Sequence, residues 1–284
     1  MSDLLVLILL ALFMAATSFA AGFLPWKFGL PLHQLDSVIV ASMGILVGTV
    51  LVLVIPEGAE TLFEGRTEGP HILSTSSIGG ISLLVGFMLM FLVDQYTVAK
   101  DASPSAYSDD SSWLARFEST LYSTLTVGLM LHSFVDGIAL GSSFFHQENA
   151  FHMFLFFMII IHKLPTAFSL AVVLHTEGFA HSVVNFHLLL FSLSTPFSSL
   201  LTYGIISAFK LDNDVVLGIL LLFSAGTFLY SVIHVMMEVL ERKQNKADYD
   251  PDSKPVTSSF TGTEISLTVV GMVLPILFSV AGAH

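Results

Sequence analysis

An all-α, polytopic membrane protein of eight transmembrane helices is the architecture expected of these 284 residues. Hydrophobic side chains make up 54% of the chain and charged ones only 11%, where a soluble domain carries about a quarter charged. Apolar runs near the ~20 residues that a bilayer demands recur along the whole length. Between them stand connectors rich in Gly, Pro, Asn and Asp.

The first run, 4–24, has neither a basic n-region nor a small-residue cleavage site before or after it, so it reads as a span and not as a removed signal. The others follow at 37–58, 77–98, 119–145, 150–175, 183–209, 214–240 and 264–283, together one transmembrane domain over 1–284. Tyr122, Ser123, Thr124 and Thr126 make the first turns of the fourth run polar. Pro25 with Gly29 and Pro31, Gly69-Pro70 and Asp212-Asn213-Asp214 supply turn chemistry. Only connectors 99–117 and 241–262 exceed about 15 residues; both are polar and expected to be mobile.

The net charge of -12 collects in loops such as Glu60–Glu68 and Asp101–Asp110, and no basic patch suits a phosphate backbone. The expected partner is therefore the lipid bilayer and not a nucleic acid. With no Cys, disulfides, thiolate metal sites and thiol catalysis are excluded, leaving His, Asp, Glu and Met as metal ligands. Lys27, Lys100, Arg116, Arg242, Lys243, Lys246 and Lys254 lie in connectors of one face, whereas the other holds only Arg66 and Lys210. The richer face is expected in the cytosol, with both termini extracytoplasmic.

Ionisable groups inside the apolar runs carry the chemistry. His132 and Asp136 stand at i and i+4, one turn apart on one helix face, and Gly137 and Gly141 let another helix approach there. His162 and Lys163 precede Pro165, which removes a backbone hydrogen bond and crowds the preceding turn. A single membrane histidine is as readily a helix-to-helix hydrogen bond as a ligand. Four ionisable groups at mid-span are costly unless they share a polar pocket, and imidazole with carboxylate suits a borderline ion such as zinc. His234 and Glu238 form another i, i+4 pair; for these, Glu57 and Asp94, a packing role and a vestibule role stay open. His152, His175 and His187 lie near span ends, where snorkelling accounts for them, and His33, His71, His146, His181 and His284 read as solvated. Phe151–Phe157 reads as lipid-facing or packing surface. Spans two and seven share a Gly-containing start and a terminal acid, Met43–Glu57 against Ala225–Glu238, a pattern found in inverted repeats of transporters and as readily produced by chance, since small residues followed by apolar ones and an acid are common.

The run His132-Ser133-Phe134-Val135-Asp136-Gly137-Ile138-Ala139 resembles the His-Asn-x-x-Glu/Asp-Gly-x-Ala signature of the ZIP (Zrt/Irt-like) metal transporter family. His162-Lys163-Leu164-Pro165-Thr166-Ala167 resembles its His-x-x-Pro-Glu-Gly partner. Ser224–Tyr230, Val54–Gly58 and Leu92–Gln95 fall in the family's order, and His-x-x-x-Asp-Gly with His-Lys-x-Pro is nearest to the subgroup of its ninth human member. The resemblance implies an inverted-repeat bundle moving zinc toward the cytosol, from outside or from an organelle lumen, with Golgi, other endomembranes and the plasma membrane all compatible. His132, Asp136 and His162 would be ligands of the primary site. Ser133, Lys163, Thr166 and Thr195 occupy positions where binuclear members place polar or acidic ligands. An ammonium at Lys163 opposes a second dication, so one central ion is expected, with Lys163 near Asp136. Zinc is then a transported substrate and not a prosthetic group; iron, manganese and cadmium suit similar ligands, and a homodimer is compatible with the family. The His-rich cytosolic loop of the family is absent, since 99–117 contains no His. Met237 replaces a Pro, which weakens a role for Glu238.

No catalytic residues are expected. Two other classes remain in view: a metal-responsive receptor or scaffold without flux, and a membrane-embedded zinc hydrolase using Ser133. The latter lacks a His-Glu-x-x-His motif and an evident general base.

Overall fold

The structure, a computed structural model, describes residues 3–28, 32–65, 73–98, 112–145, 151–209, 214–248 and 260–282. Among these every regular element is helical: α1 (Asp3–Phe28), α2 (Leu32–Thr49), a π-helical turn (Val50–Val54), α3 (Ile55–Glu64), α4 (Thr75–Val98), α5 (Trp113–Tyr122), α6 (Thr124–Ser143), α7 (Phe151–Thr176), α8 (His181–Phe209), α9 (Asp214–Asp248) and α10 (Gly262–Gly282). Seven helical stretches are long and apolar enough to cross a membrane, and α10 carries a shorter apolar stretch, Gly262–Leu277, at the place of the eighth expected span.

Local sequence explains the departures from eight plain rods. Pro56 has no N–H to offer the carbonyl one turn back, and the backbone widens before it: the N–H of Ile55 reaches the carbonyl of Val50, closing a π turn inside span two. The fourth expected span, 119–145, is in fact two helices. Ser123 is extended between them (φ -89, ψ 103) and caps α6 by accepting from the N–H of Thr126, because hydroxyl side chains compete with the helical ladder for backbone groups. The turn from α7 to α8 is tighter than expected. Gly178, at φ 91, lets Phe179 N–H reach Leu174 and Gly178 N–H reach His175, the double bond of a Schellman end. Finally α9 runs to Asp248, so Arg242, Lys243 and Lys246 extend a helix of 35 residues, whereas the composition predicts a mobile connector from 241. Residues 99–111 and 249–259, the rest of both long connectors, lie outside the described residues.

Helix pairs are drawn together at glycines. A side chain at Gly44 or Gly48 would strike the backbone of Thr268 or Met272 in α10, and one at Gly86 or Gly226 would strike Phe223 or Leu83 where α4 meets α9. On α6, Gly137 faces Ser198 and the carbonyl of Thr195, and Gly141 faces Ser199, so α6 lies directly against α8. Lipid gives no hydrophobic reward for helix association, and such close approach supplies the dispersion contact instead. Between these pairs lies a core of α2, α6, α7, α8 and α9 side chains, including Leu46, Leu129, Val173, Phe191 and Phe228.

Candidate metal centre

Four helices converge on one polar pocket. α6 presents His132, Ser133 and Asp136, and α7 presents His162 and Lys163; all five are buried. Ligand atoms of His132, Asp136 and His162 lie within 4.8 Å of one another, and among the described residues no other three His, Cys, Asp or Glu side chains cluster so. Asp136 Oδ2 is 3.5 Å from His132 Nε2 and 3.3 Å from His162 Nε2. Metal bonds of about 2.0–2.1 Å in a tetrahedron put neighbouring ligands about 3.3 Å apart. The two measured edges already have the spacing of a zinc polyhedron.

The other ring nitrogens are tied down. His132 Nδ1 is 2.7 Å from Ser224 Oγ of α9, and its ring stacks on Phe228 with centroids 3.9 Å apart. His162 Nδ1 is 2.9 Å from the carbonyl of Met158. A carbonyl only accepts, so Nδ1 of His162 carries a proton, and its Nε2 faces Asp136. Nε2 lies 3.3 Å from Asp136 Oδ2, a contact that a proton or a metal ion can bridge. His132 Nε2, though buried, has no hydrogen-bond partner among the described residues. Outer contacts thus fix both rings and turn their inner nitrogens toward Asp136, as around bound metals.

Lys163 fills the adjoining volume. Its Nζ donates to Ser133 Oγ and Thr195 Oγ1, each at 2.8 Å, and lies 4.2 Å above the ring of Phe191, so its three donors point at two hydroxyls and a π face. Thr195 Oγ1 in turn donates to the carbonyl of Ser133 at 2.7 Å. The ammonium therefore reaches Asp136 through space, one helical turn along from Ser133, and not by direct contact. Thr166 is buried, and its hydroxyl donates to the carbonyl of His162 across the turn that contains Pro165. Sequence reasoning does not single out Ser224, Phe228, Met158 or Phe191 as parts of the site. Ser224 and Phe228 are themselves i and i+4, which is the trace they leave in sequence.

Of the four vestibule candidates, two meet. Asp94 of α4 accepts from the hydroxyl of Tyr230 at 2.7 Å and lies 3.6 Å from His234 Nδ1, both on α9. Glu57 sits half-buried on α3, beyond the π turn, on the same short helix as Glu60 and Glu64. Glu238 is within α9, but its side chain lies outside the described residues.

His187 is a correction. It is fully buried, not snorkelling. Its Nε2 and Nδ1 lie 2.9 Å from Ser119 Oγ and Thr126 Oγ1. Ser119 spends its only hydroxyl proton on the carbonyl of Arg116 at 2.6 Å, so it accepts from His187 Nε2–H. Nδ1 of the neutral ring then accepts from Thr126, which accepts from Ser123 at 2.9 Å. The hydrogen bonds thus run in one direction, Ser123 to Thr126 to His187 to Ser119 to Arg116, and clasp α5, α6 and α8 at the Ser123 break.

A family model described as ZIP Zinc transporter matches residues 99–279. The chain is 30% identical to zinc transporter ZIP9 of Xenopus tropicalis over an alignment of 316 residues covering all of both chains. It is 31% identical to zinc transporter ZIP9-A of Xenopus laevis, again over the whole of both. With zinc transporter ZIP9 of Macaca fascicularis the identity is 34% over 165 residues, 56% of this chain and 67% of that one.

Proposed function

This chain belongs to the ZIP zinc transporter family, and we propose that it moves zinc toward the cytosol, from outside or from an organelle lumen, through one mid-membrane site of His132, Asp136 and His162. It is a transporter and not an enzyme, so the hydrolase reading falls away. The observation that carries the assignment is the convergence of two buried imidazole nitrogens on one carboxylate oxygen, at 3.5 and 3.3 Å. Three protein ligands leave a fourth position for water or an exchanging group, which suits an ion that must leave again.

Lys163 serves as a tethered charge in place of a second ion, held by Ser133 and Thr195. Asp94 and His234, with Tyr230, form a vestibule on the α4–α9 side. The Lys and Arg bias supports a cytosolic face holding the ends of α1 and α9, and an endomembrane such as the Golgi, or the plasma membrane, is the place to look. Iron, manganese and cadmium are the competing cargoes, and a dimer the assembly to test. Zinc uptake into sealed proteoliposomes decides the reading. His132→Ala, Asp136→Ala and His162→Ala are each expected to abolish most flux at normal protein level; wild-type flux in all three would overturn the site.

A further inference from the structure

A second pair of imidazoles stands on the surface, where α7 turns into α8. His175 closes α7 and His181 opens α8, and both are exposed. Their ring centroids are 5.5 Å apart, with planes 23° from parallel. The central histidines give an internal standard: His132 and His162, which face one carboxylate oxygen, have centroids 5.4 Å apart. Elementary geometry agrees. With metal–nitrogen bonds of about 2.0–2.1 Å, a ring centre lies ~3.2 Å from the ion, and two rings on a tetrahedral ion have centres about 5.2 Å apart.

The turn that holds the two rings is rigid. Besides the Schellman bonds at Gly178, Glu177 N–H reaches Val173 at 2.9 Å, and Ala180 accepts from both Val183 and Val184 N–H at 3.0 Å. Phe179 is buried beside Leu174 in the same core cluster, which completes the hydrophobic contact of such an end. Ordering cost is therefore largely met before an ion arrives. The same helix carries His162, thirteen residues earlier, or about 20 Å along the axis at 1.5 Å per residue.

We propose that His175 and His181 form a surface site for a borderline divalent cation such as zinc, a way station on the membrane face where α7 ends. It rests on the reading that the chain carries zinc. Two neutral imidazoles and water hold an ion more weakly than two imidazoles and a carboxylate, so the surface site exchanges where the central one selects.

Zinc isotherms on the purified full chain in lipid nanodiscs test this. The His175→Ala/His181→Ala double variant is expected to lose one weakly bound ion per chain and to keep the tight one. His132→Ala is expected to lose the tight ion and to keep the weak one. Because both hairpin side chains are exposed, their removal leaves the fold intact, checked by an unchanged melting temperature. His175→Asn or His181→Asn alone is expected to weaken that ion by more than the ~10- to 100-fold that an outer-shell change costs. A double variant binding as many ions as wild type, at the same affinities, overturns the surface site whatever His132→Ala does; His132→Ala binding like wild type would instead count against the central assignment.

Discussion

Two clusters of buried histidine share helix α6, and they differ in whether their hydrogen bonding is complete. Around His187 every proton has an acceptor, from Ser123 through Thr126 and the ring to Ser119 and the carbonyl of Arg116. Around His132 and His162 the outer nitrogens are tied to Ser224 and Met158 and the inner ones converge on Asp136, where His132 Nε2 has no hydrogen-bond partner among the described residues. Burial is the same in both, so burial alone does not mark an ion site. The convergence of two imidazoles on one carboxylate oxygen does, and the unpartnered His132 Nε2, which costs about 1–3 kcal/mol, adds to it.

The largest effect expected to sharpen this contrast is on flux. Removing any one of His132, Asp136 and His162 should abolish transport, whereas His187→Gln, which can still donate and accept, should transport at a rate near wild type once allowance is made for folded protein. Equal losses at both clusters would erase the distinction.

Protons should act on the open cluster alone. Zinc binds an imidazole nitrogen through its lone pair, so protons compete with it there, and the range to scan runs from about pH 7.5 to about 5.5. The apparent affinity measured by uptake should fall as the loading side is acidified over that range. A flat profile would mean that these rings are not ligands.

A smaller change is expected one layer out. Ser224→Ala frees His132 Nδ1 and should weaken zinc binding by about 10- to 100-fold without abolishing it, read from an isotherm. Lys163→Ala should keep the central ion and alter rate and selectivity, while Lys163→Asp, by restoring an acidic ligand, should admit a second ion. The smallest effect on transport belongs to Ser119→Ala: it leaves His187 Nε2–H without its acceptor, lowering stability by about 1–3 kcal/mol in a thermal melt, with flux per folded molecule unchanged.

Much of this is legible in the chain. Length and apolarity specify the spans, and the spacing of His132 and Asp136, one turn apart, is enough to place a ligand pair on one face. Lys163, about 100° round the helix from His162, is readable as facing the neighbouring volume. The hydroxyls that receive it are not, since the pairing of Ser133 with Thr195 depends on how α6 and α8 slide together at Gly137 and Gly141. His187 escapes sequence reasoning for the same reason: its sequence neighbours are apolar, and its partners come from residues 61 and 68 positions away. The Ser123 break hides within a run whose hydroxyls are plain but whose hydropathy carries straight through. The length of α9 exceeds the apolar signal, because a helix can continue on polar residues after the membrane ends.

Anomalous diffraction at the zinc edge from the wild-type protein tests the central claim most directly. One ion is predicted, between His132 Nε2, Asp136 and His162 Nε2, with Lys163 still bonded to Ser133 and Thr195 beside it. Two ions bridged by Asp136, or no ion within reach of the three side chains, would contradict the account.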